Sequence, residues 1–341
     1  MNNVGSYQTT FSLRKESWEG RRCFLVLEGV DSAVEVYVDG QYVGYSQDSR
    51  LPAEFDLTAL VTASSAEIQQ HVLSLRVYRF CDGSYLEDQD HWWLSGLHRG
   101  VYLYSKPEDG AILNYEVTAG LPQSDTERPA GQLEVSSSRI LCMGPSKSIE
   151  VRVELFGPHR LGTDRRMEPP LSPDDEPVVT LKTTVDMGES IEEGAFRVKA
   201  EIPEVEPWSA EDPVLYTMVL SLYGGVPRSG GKPPLLDRES CEVSHPLLSN
   251  LDCNPLRVLS RCQVGFRDVR VSGNQLLVNG KAIMIAGVNR HDHDPDTGKT
   301  VSLESMFEDV ALLKRFNFNA IRTCHYPNMS EFYDVCDALG M

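Results

Sequence analysis

Two short stretches concentrate side chains able to do chemistry: Asn289-Arg-His-Asp-His-Asp-Pro and Arg322-Thr-Cys-His-Tyr-Pro-Asn. Each follows a strand-like apolar segment, so each falls where a strand ends and a loop begins. Two independent strand ends that bring Arg and His to one rim make a binding site, because parallel (β/α) sheets gather their working residues there. A neutral imidazole both donates and accepts, which suits sugar hydroxyls. Bonds that tighten as a sugar ring flattens toward an oxocarbenium ion lower the barrier to glycoside cleavage. His291 and His325 are the candidates for that grip, with Arg322 in support. A rival reading takes His291-x-His293 as the start of an amidohydrolase-type zinc site, which needs further His and Asp ligands from later strands.

A third stretch, Ser84-Tyr-Leu-Glu-Asp-Gln-Asp-His-Trp-Trp-Leu-Ser-Gly-Leu-His-Arg, sets carboxylates beside paired tryptophans. Ring stacking plus hydroxyl-accepting carboxylates would make a sugar platform; the plainer alternative is a loop whose Trp side chains fill a core. Trp18 and Trp208 are read as structural.

The elements that must position these residues change character along the chain. Residues 1–107 alternate with period two, and Asp39-Gly40 between apolar runs is a type I′ hairpin turn; this predicts a β-sandwich. Residues 108–262 continue as strands of a seven-stranded immunoglobulin-like sandwich, with long loops near 157–177 and 224–257 where charge, Pro and Gly accumulate. Residues 263–341 read as β-α-β-α. The run Ala282-Ile-Met-Ile-Ala-Gly suggests a strand buried on both faces. A helix over 303–316 has Ser302 as N-cap, a strand follows near 318–322, and a second helix opens on a capping box of Asn328 and Glu331 and closes at Gly340. The expected fold is thus multidomain and mainly β, ending in the first two β/α units of a TIM barrel. Two units cannot close an eight-stranded barrel, so an open strand edge and exposed apolar surface are expected, as if the chain were cut off.

Composition narrows the function. The 341 residues carry a net charge of −18, which disfavours nucleic acid as a partner and leaves neutral ligands open. No apolar run reaches the ~18 residues of a membrane span. The eight cysteines form no C-x-x-C pair. Free thiols in a reducing, cytoplasmic compartment are expected.

The segments Gly44-Tyr-Ser-Gln-Asp-Ser-Arg-Leu-Pro-Ala-Glu-Phe-Asp-Leu, Asp82-Gly-Ser-Tyr-Leu-Glu-Asp-Gln-Asp, Gly287-Val-Asn-Arg-His-Asp-His-Asp-Pro and His325-Tyr-Pro-Asn resemble, in order, glycoside hydrolase family two, most closely its large β-galactosidases. The resemblance is weakest between about 157 and 260. It implies that the sandwich of residues 1–107 is a jelly-roll sugar-binding domain, and that the whole is a retaining glycosidase acting on terminal β-galactose, with β-glucuronidase or β-mannosidase as sister activities. A non-catalytic carbohydrate-binding module is the alternative from another class. By resemblance Asp90 contacts the region of the galactose 6-hydroxyl and helps bind sodium, His291 and His325 grip sugar hydroxyls, and Arg322 supports them. Mg2+ and Na+ are implied for the complete, homo-oligomeric enzyme. The acid/base glutamate, the nucleophile glutamate and the magnesium ligands lie beyond Met341 in the family pattern, so this polypeptide alone is expected to show no turnover. Asp292, Asp294 and Gly100 depart from the family's more common residues.

Overall fold

A computed structural model describes residues 2–61, 67–122, 128–142, 148–160, 175–187, 193–224, 235–238 and 261–341. The loop expectations near 157–177 and 224–257 fall largely outside the described residues.

The first unit contains β1 (Val4–Arg14), β2 (Arg21–Leu27), β3 (Ala33–Val38), β4 (Gln41–Gln47), β5 (Ala53–Asp56), β6 (Ile68–Tyr78) and β7 (Val101–Pro107). One antiparallel sheet runs β1-β6-β3-β4 and the other β5-β2-β7. Alternation decides which side chains meet between them: Val34, Val36 and Val38 of β3 and Leu73, Leu75 and Val77 of β6 are buried, joined by Leu25 and Leu27 of β2. Each such Val or Leu contributes about 1.5–3 kcal/mol on leaving water. The β3–β4 hairpin turns at Asp39 and Gly40, with φ of 51° and 78°, as the type I′ reading requires. Asp39 also accepts from the Val72 N–H at 2.8 Å and pairs with His71 Nδ1 at 2.7 Å, which ties the turn to β6.

The second sandwich comprises β8 (Ala111–Gly120), β9 (Gly131–Leu141), β10 (Ser148–His159), β11 (Val179–Asp186), β12 (Glu193–Ile202), β13 (Leu215–Gly224), β14 (Leu235–Arg238) and β15 (Arg261–Val264). Its sheets run β8-β9-β12 and β11-β10-β13-β14, with β15 also on β13. β14 pairs with Ser221–Tyr223 of β13 and β15 with Tyr216–Val219. Those two short strands therefore lie end to end along one edge and share one strand position, which gives the seven positions of an immunoglobulin-like sandwich among the described residues. Ile149, Val151, Val153 and Leu155 of β10 point into its core while the Glu and Arg between them point outward.

The last part holds a hairpin, β16 (Val269–Ser272) with β17 (Gln275–Val278), and then β18 (Gly287–Arg290), α1 (Leu303–Arg315), β19 (Ala320–Thr323) and α2 (Ser330–Leu339). β18 and β19 are parallel, Gly287 opposite Ala320 and Arg290 opposite Thr323, as a β-α-β unit demands. Met306 and Val310 of α1 meet Phe332 and Val335 of α2 in a small core. Ser302 caps α1 by accepting from the Ser305 N–H at 3.2 Å. Gly340 ends α2 in the left-handed region, φ 77°, against the Ala210 backbone.

Two expectations fail here. The apolar run before β18 is not a doubly buried strand: Ile283, Met284 and Ile285 are exposed, Met284 at 84%, and the strand begins only at Gly287. A run of this kind is buried only when neighbours cover both faces, and among the described residues β18 pairs with β19 alone. The capping box at α2 is also absent. Met329 occupies the N-cap position without a side-chain bond, because the Asn328 amide is drawn to Asp292 Oδ2 at 3.2 Å. No helix among the described residues is long and apolar enough to cross a membrane.

Candidate functional site

The C-terminal ends of β18 and β19 open onto the loop that follows β6 in the first sandwich. Of the residues singled out in the sequence, His291 and His325 come together, with ring centroids 5.7 Å apart and planes at 88°. Arg322 is exposed on β19 and sends Nη1 to Cys324 Sγ at 3.6 Å. Asp90 is exposed; its neighbour His91 lies edge-on to Tyr326, 5.6 Å between centroids, so the loop reaches the same rim. Trp92 and Trp93 do not fill a core. Trp92 is 71% exposed with its edge toward His293 at 5.2 Å, and Trp93 leans on Phe80.

A short hydrogen-bond chain fixes how His291 presents itself. The Asp292 N–H donates to Tyr326 Oη at 3.1 Å, and Oη lies 3.3 Å from His291 Nδ1. Burial raises the Tyr326 pKa, so the phenol keeps its proton. The phenol can donate to Nδ1, which leaves Nε2–H as a donor on the other side of the ring, or accept from Nδ1–H, which leaves Nε2 as an acceptor. Either arrangement suits a sugar hydroxyl, which both donates and accepts.

The platform beneath is a buried ion-pair network that sequence reading missed. Asp292 is buried and meets Arg290 Nη1, the Asn328 amide and, at 3.6 Å, Arg99 from the first sandwich. Arg290 also donates from Nε to Asp309 at 2.9 Å, and Arg99 reaches the Pro327 carbonyl at 3.0 Å. Lys299, also buried, pairs with Asp31 of the first sandwich. Arg50 lies over the Tyr326 ring at 3.7 Å and is 4% exposed, and its two terminal nitrogens have no hydrogen-bond partner among the described residues. Arg50 lines a cleft with Asp31, Ser49, Ser84, Glu87 and His91. Its signal was present in the sequence as an Arg within the Gly44–Leu57 motif, but nothing local marks it as buried.

Burial and this cationic surround hold the nearby imidazoles neutral. His293 is pushed down to about 4, first by burial and then by Arg50 and His291, and His98 to about 3, again first by burial. The departures noted in the sequence have structural uses. Asp292 is the hub of the network. Asp294 accepts from the Asp296 and Thr297 N–H groups and shapes a tight turn. At Gly100 a Cβ would lie 2.6 Å from Glu28 Oε2, so the residue leaves room for that carboxylate.

The His-x-His zinc reading finds no support in this arrangement. His291 gathers with Cys324 and His325, and His293 stands outside that group. Asp90 is not among the His, Cys, Asp and Glu side chains that gather in threes among the described residues.

β-Galactosidase from Vibrio vulnificus (strain YJ016) is 36% identical over 341 residues, covering 100% of this chain and 28% of the relative. The Alteromonas mediterranea β-galactosidase is 36% identical over 340 residues, and that of Priestia megaterium 32% over 343, with the same coverage. The chain thus spans about 28% of the length of these curated relatives. Among solved structures, Bacteroides uniformis β-glucuronidase superposes with a TM-score of 0.76 at 21% identity, covering 100% of this chain and 36% of that one. Bifidobacterium dentium β-glucuronidase gives 0.74 at 21%, covering 98% and 51%. At such identities these likenesses establish the fold alone. The description "Glycosyl hydrolases family 2, sugar binding domain" matches residues 1–107, and "Glycosyl hydrolases family 2, TIM barrel domain" matches residues 269–341. With both ends matched to one family and two β/α units of its barrel in place, the chain belongs to glycosyl hydrolase family 2.

Proposed function

We propose that this chain carries the sugar-gripping part of a retaining β-galactoside hydrolase. The observation that carries the reading is the perpendicular pair His291 and His325 at the ends of adjacent parallel strands, with the His291 ring held by Tyr326 Oη at Nδ1. In this reading the pair binds hydroxyls of a terminal galactose, Asp90 faces the sugar from the opposite loop, and Arg322 backs the β19 end. Double displacement further needs two carboxyl groups roughly 5–5.5 Å apart, one as nucleophile and one as acid/base. Asp292 is unsuited to either role, because its charge is already committed to Arg290 and Arg99. The pair is assigned instead to later barrel strands of the complete enzyme, together with its magnesium site and its assembly into oligomers. The six described cysteines are all free thiols, which supports a reducing, cytoplasmic setting.

Calorimetric titration of the chain with galactose, glucuronate and mannose tests this. Galactose is expected to bind, and His291→Ala or His325→Ala to weaken it by about tenfold, the ~1.4 kcal/mol of one or two hydrogen bonds. No aryl β-galactoside turnover is expected from this chain. Galactose binding indifferent to both histidines would sink the reading. A second reading, a uronic-acid glycoside, is favoured by Arg50, a buried cation with unpartnered donors beside the cleft. Preference for glucuronate, lost in Arg50→Met, would select it.

A further inference from the structure

The cluster of His291, Cys324 and His325 does more than sugar recognition requires. One ligating atom from each residue lies within 4.8 Å of the others. Hydroxyl recognition has a use for the two imidazoles but none for a thiol between them. Cys324 is 1% exposed, while His291 is half-buried and His325 exposed, so a buried soft sulfur lies close to two more accessible imidazoles. Tetrahedral Zn2+ takes sulfur at about 2.3 Å and imidazole nitrogen at about 2.0–2.1 Å, which sets neighbouring ligands about 3.4 Å apart. The ligating atoms must draw together to that value on binding. With its proton on Nδ1, donated to Tyr326 Oη at 3.3 Å, His291 has the outer partner that a ligating imidazole wants and leaves Nε2 free for the metal.

We infer that His291, Cys324 and His325 form a binding site for a thiophilic divalent cation of the Zn2+ or Cd2+ type. Binding forms one metal–sulfur and two metal–nitrogen bonds, and the thiol proton leaves to solvent. The metal stays divalent and nothing is oxidised. Arg322 Nη1, 3.6 Å from Sγ, adds positive charge beside the sulfur, so a fourth position suits hydroxide, water or another oxygen ligand. Soft sulfur favours Zn2+ and Cd2+ over Mg2+ and Na+, which want oxygen ligands. The cation would occupy the same imidazole nitrogens that the proposed galactose grip uses; this exclusion, unlike the metal site, rests on the sugar reading.

The test is titration of the full chain with Cd2+ alone, read by the sulfur-to-cadmium charge-transfer band in the near ultraviolet, with Zn2+ calorimetry in parallel. One equivalent is expected to give a band that disappears in the isosteric Cys324→Ser and survives in Cys336→Ala. His291→Ala and His325→Ala are expected to keep a band but weaken binding by more than the roughly 10–100-fold that loss of an outer partner alone brings. An unchanged band in Cys324→Ser, or unchanged affinity in both histidine variants, overturns the site. Galactose is expected to raise the Cd2+ concentration needed. If the band depends on Cys324 and both histidines yet ignores galactose, the metal site stands and the sugar grip fails.

Discussion

Asp292 is held by charge. Its side chain is 3% exposed and faces two guanidiniums, so each partner offsets the cost of burying the others. Asp292→Ala leaves Arg290 and Arg99 buried without their counter-charge and is expected to cost about 3–5 kcal/mol in urea unfolding. His98 is held by neutrality. Its pKa near 3 lies below the ordinary 6.5, so in the window between those values the unfolded chain takes up a proton that the folded chain refuses. Stability from this group is complete above pH 6.5 and falls as the pH drops toward 3, at about 1.4 kcal/mol per pH unit. His98→Gln is expected to flatten that part of the stability–pH curve. The meeting of His291 and His325 was legible in the sequence because each His follows its own strand within a few residues. The network below it was not, since Lys299 meets Asp31 across 268 positions and Arg99 meets Pro327 across 228. Contacts at that separation leave no periodicity to read.

Helices α1 and α2 are placed by their ends as much as by their apolar faces. Trp208 of the second sandwich donates Nε1 to the Asp337 carbonyl at 2.8 Å and packs with Leu215 and Ala338. Lys314 donates Nζ to the Ala210 and Gly340 carbonyls at 2.7 and 2.8 Å. Trp208→Ala removes a buried ring and a helix-end bond together and is expected to cost about 3–5 kcal/mol, with the first amides to lose hydrogen-exchange protection in α2. Helix existence, the Ser302 cap and the Gly340 stop could be read from local residue types. The loss of the expected Asn328 cap could not, because the carboxylate that draws the Asn328 amide away, Asp292, is distant in sequence. The exposed run at 283–285 shows the matching weakness for strands: apolar sequence records that a face wants cover and says nothing about what covers it.

Across the whole molecule the sandwiches are self-sufficient and the α/β part is not. Each sandwich has an extensive core, whereas α1 and α2 share four fully buried apolar side chains among the described residues. Met284, Ile285, Leu312 and Phe316 remain exposed on that part. A dye that fluoresces in apolar surroundings is expected to bind the native chain and to be displaced when Met284 and Ile285 are replaced by Lys. Arg99 and Asp31 hold the α/β part from one sandwich and Trp208 holds it from the other. It is therefore a span fixed at both abutments. Residues 263–341 made as a separate peptide should be largely unfolded by circular dichroism, and a shear of one sandwich against the other would reach the imidazole pair before it disturbed either β core.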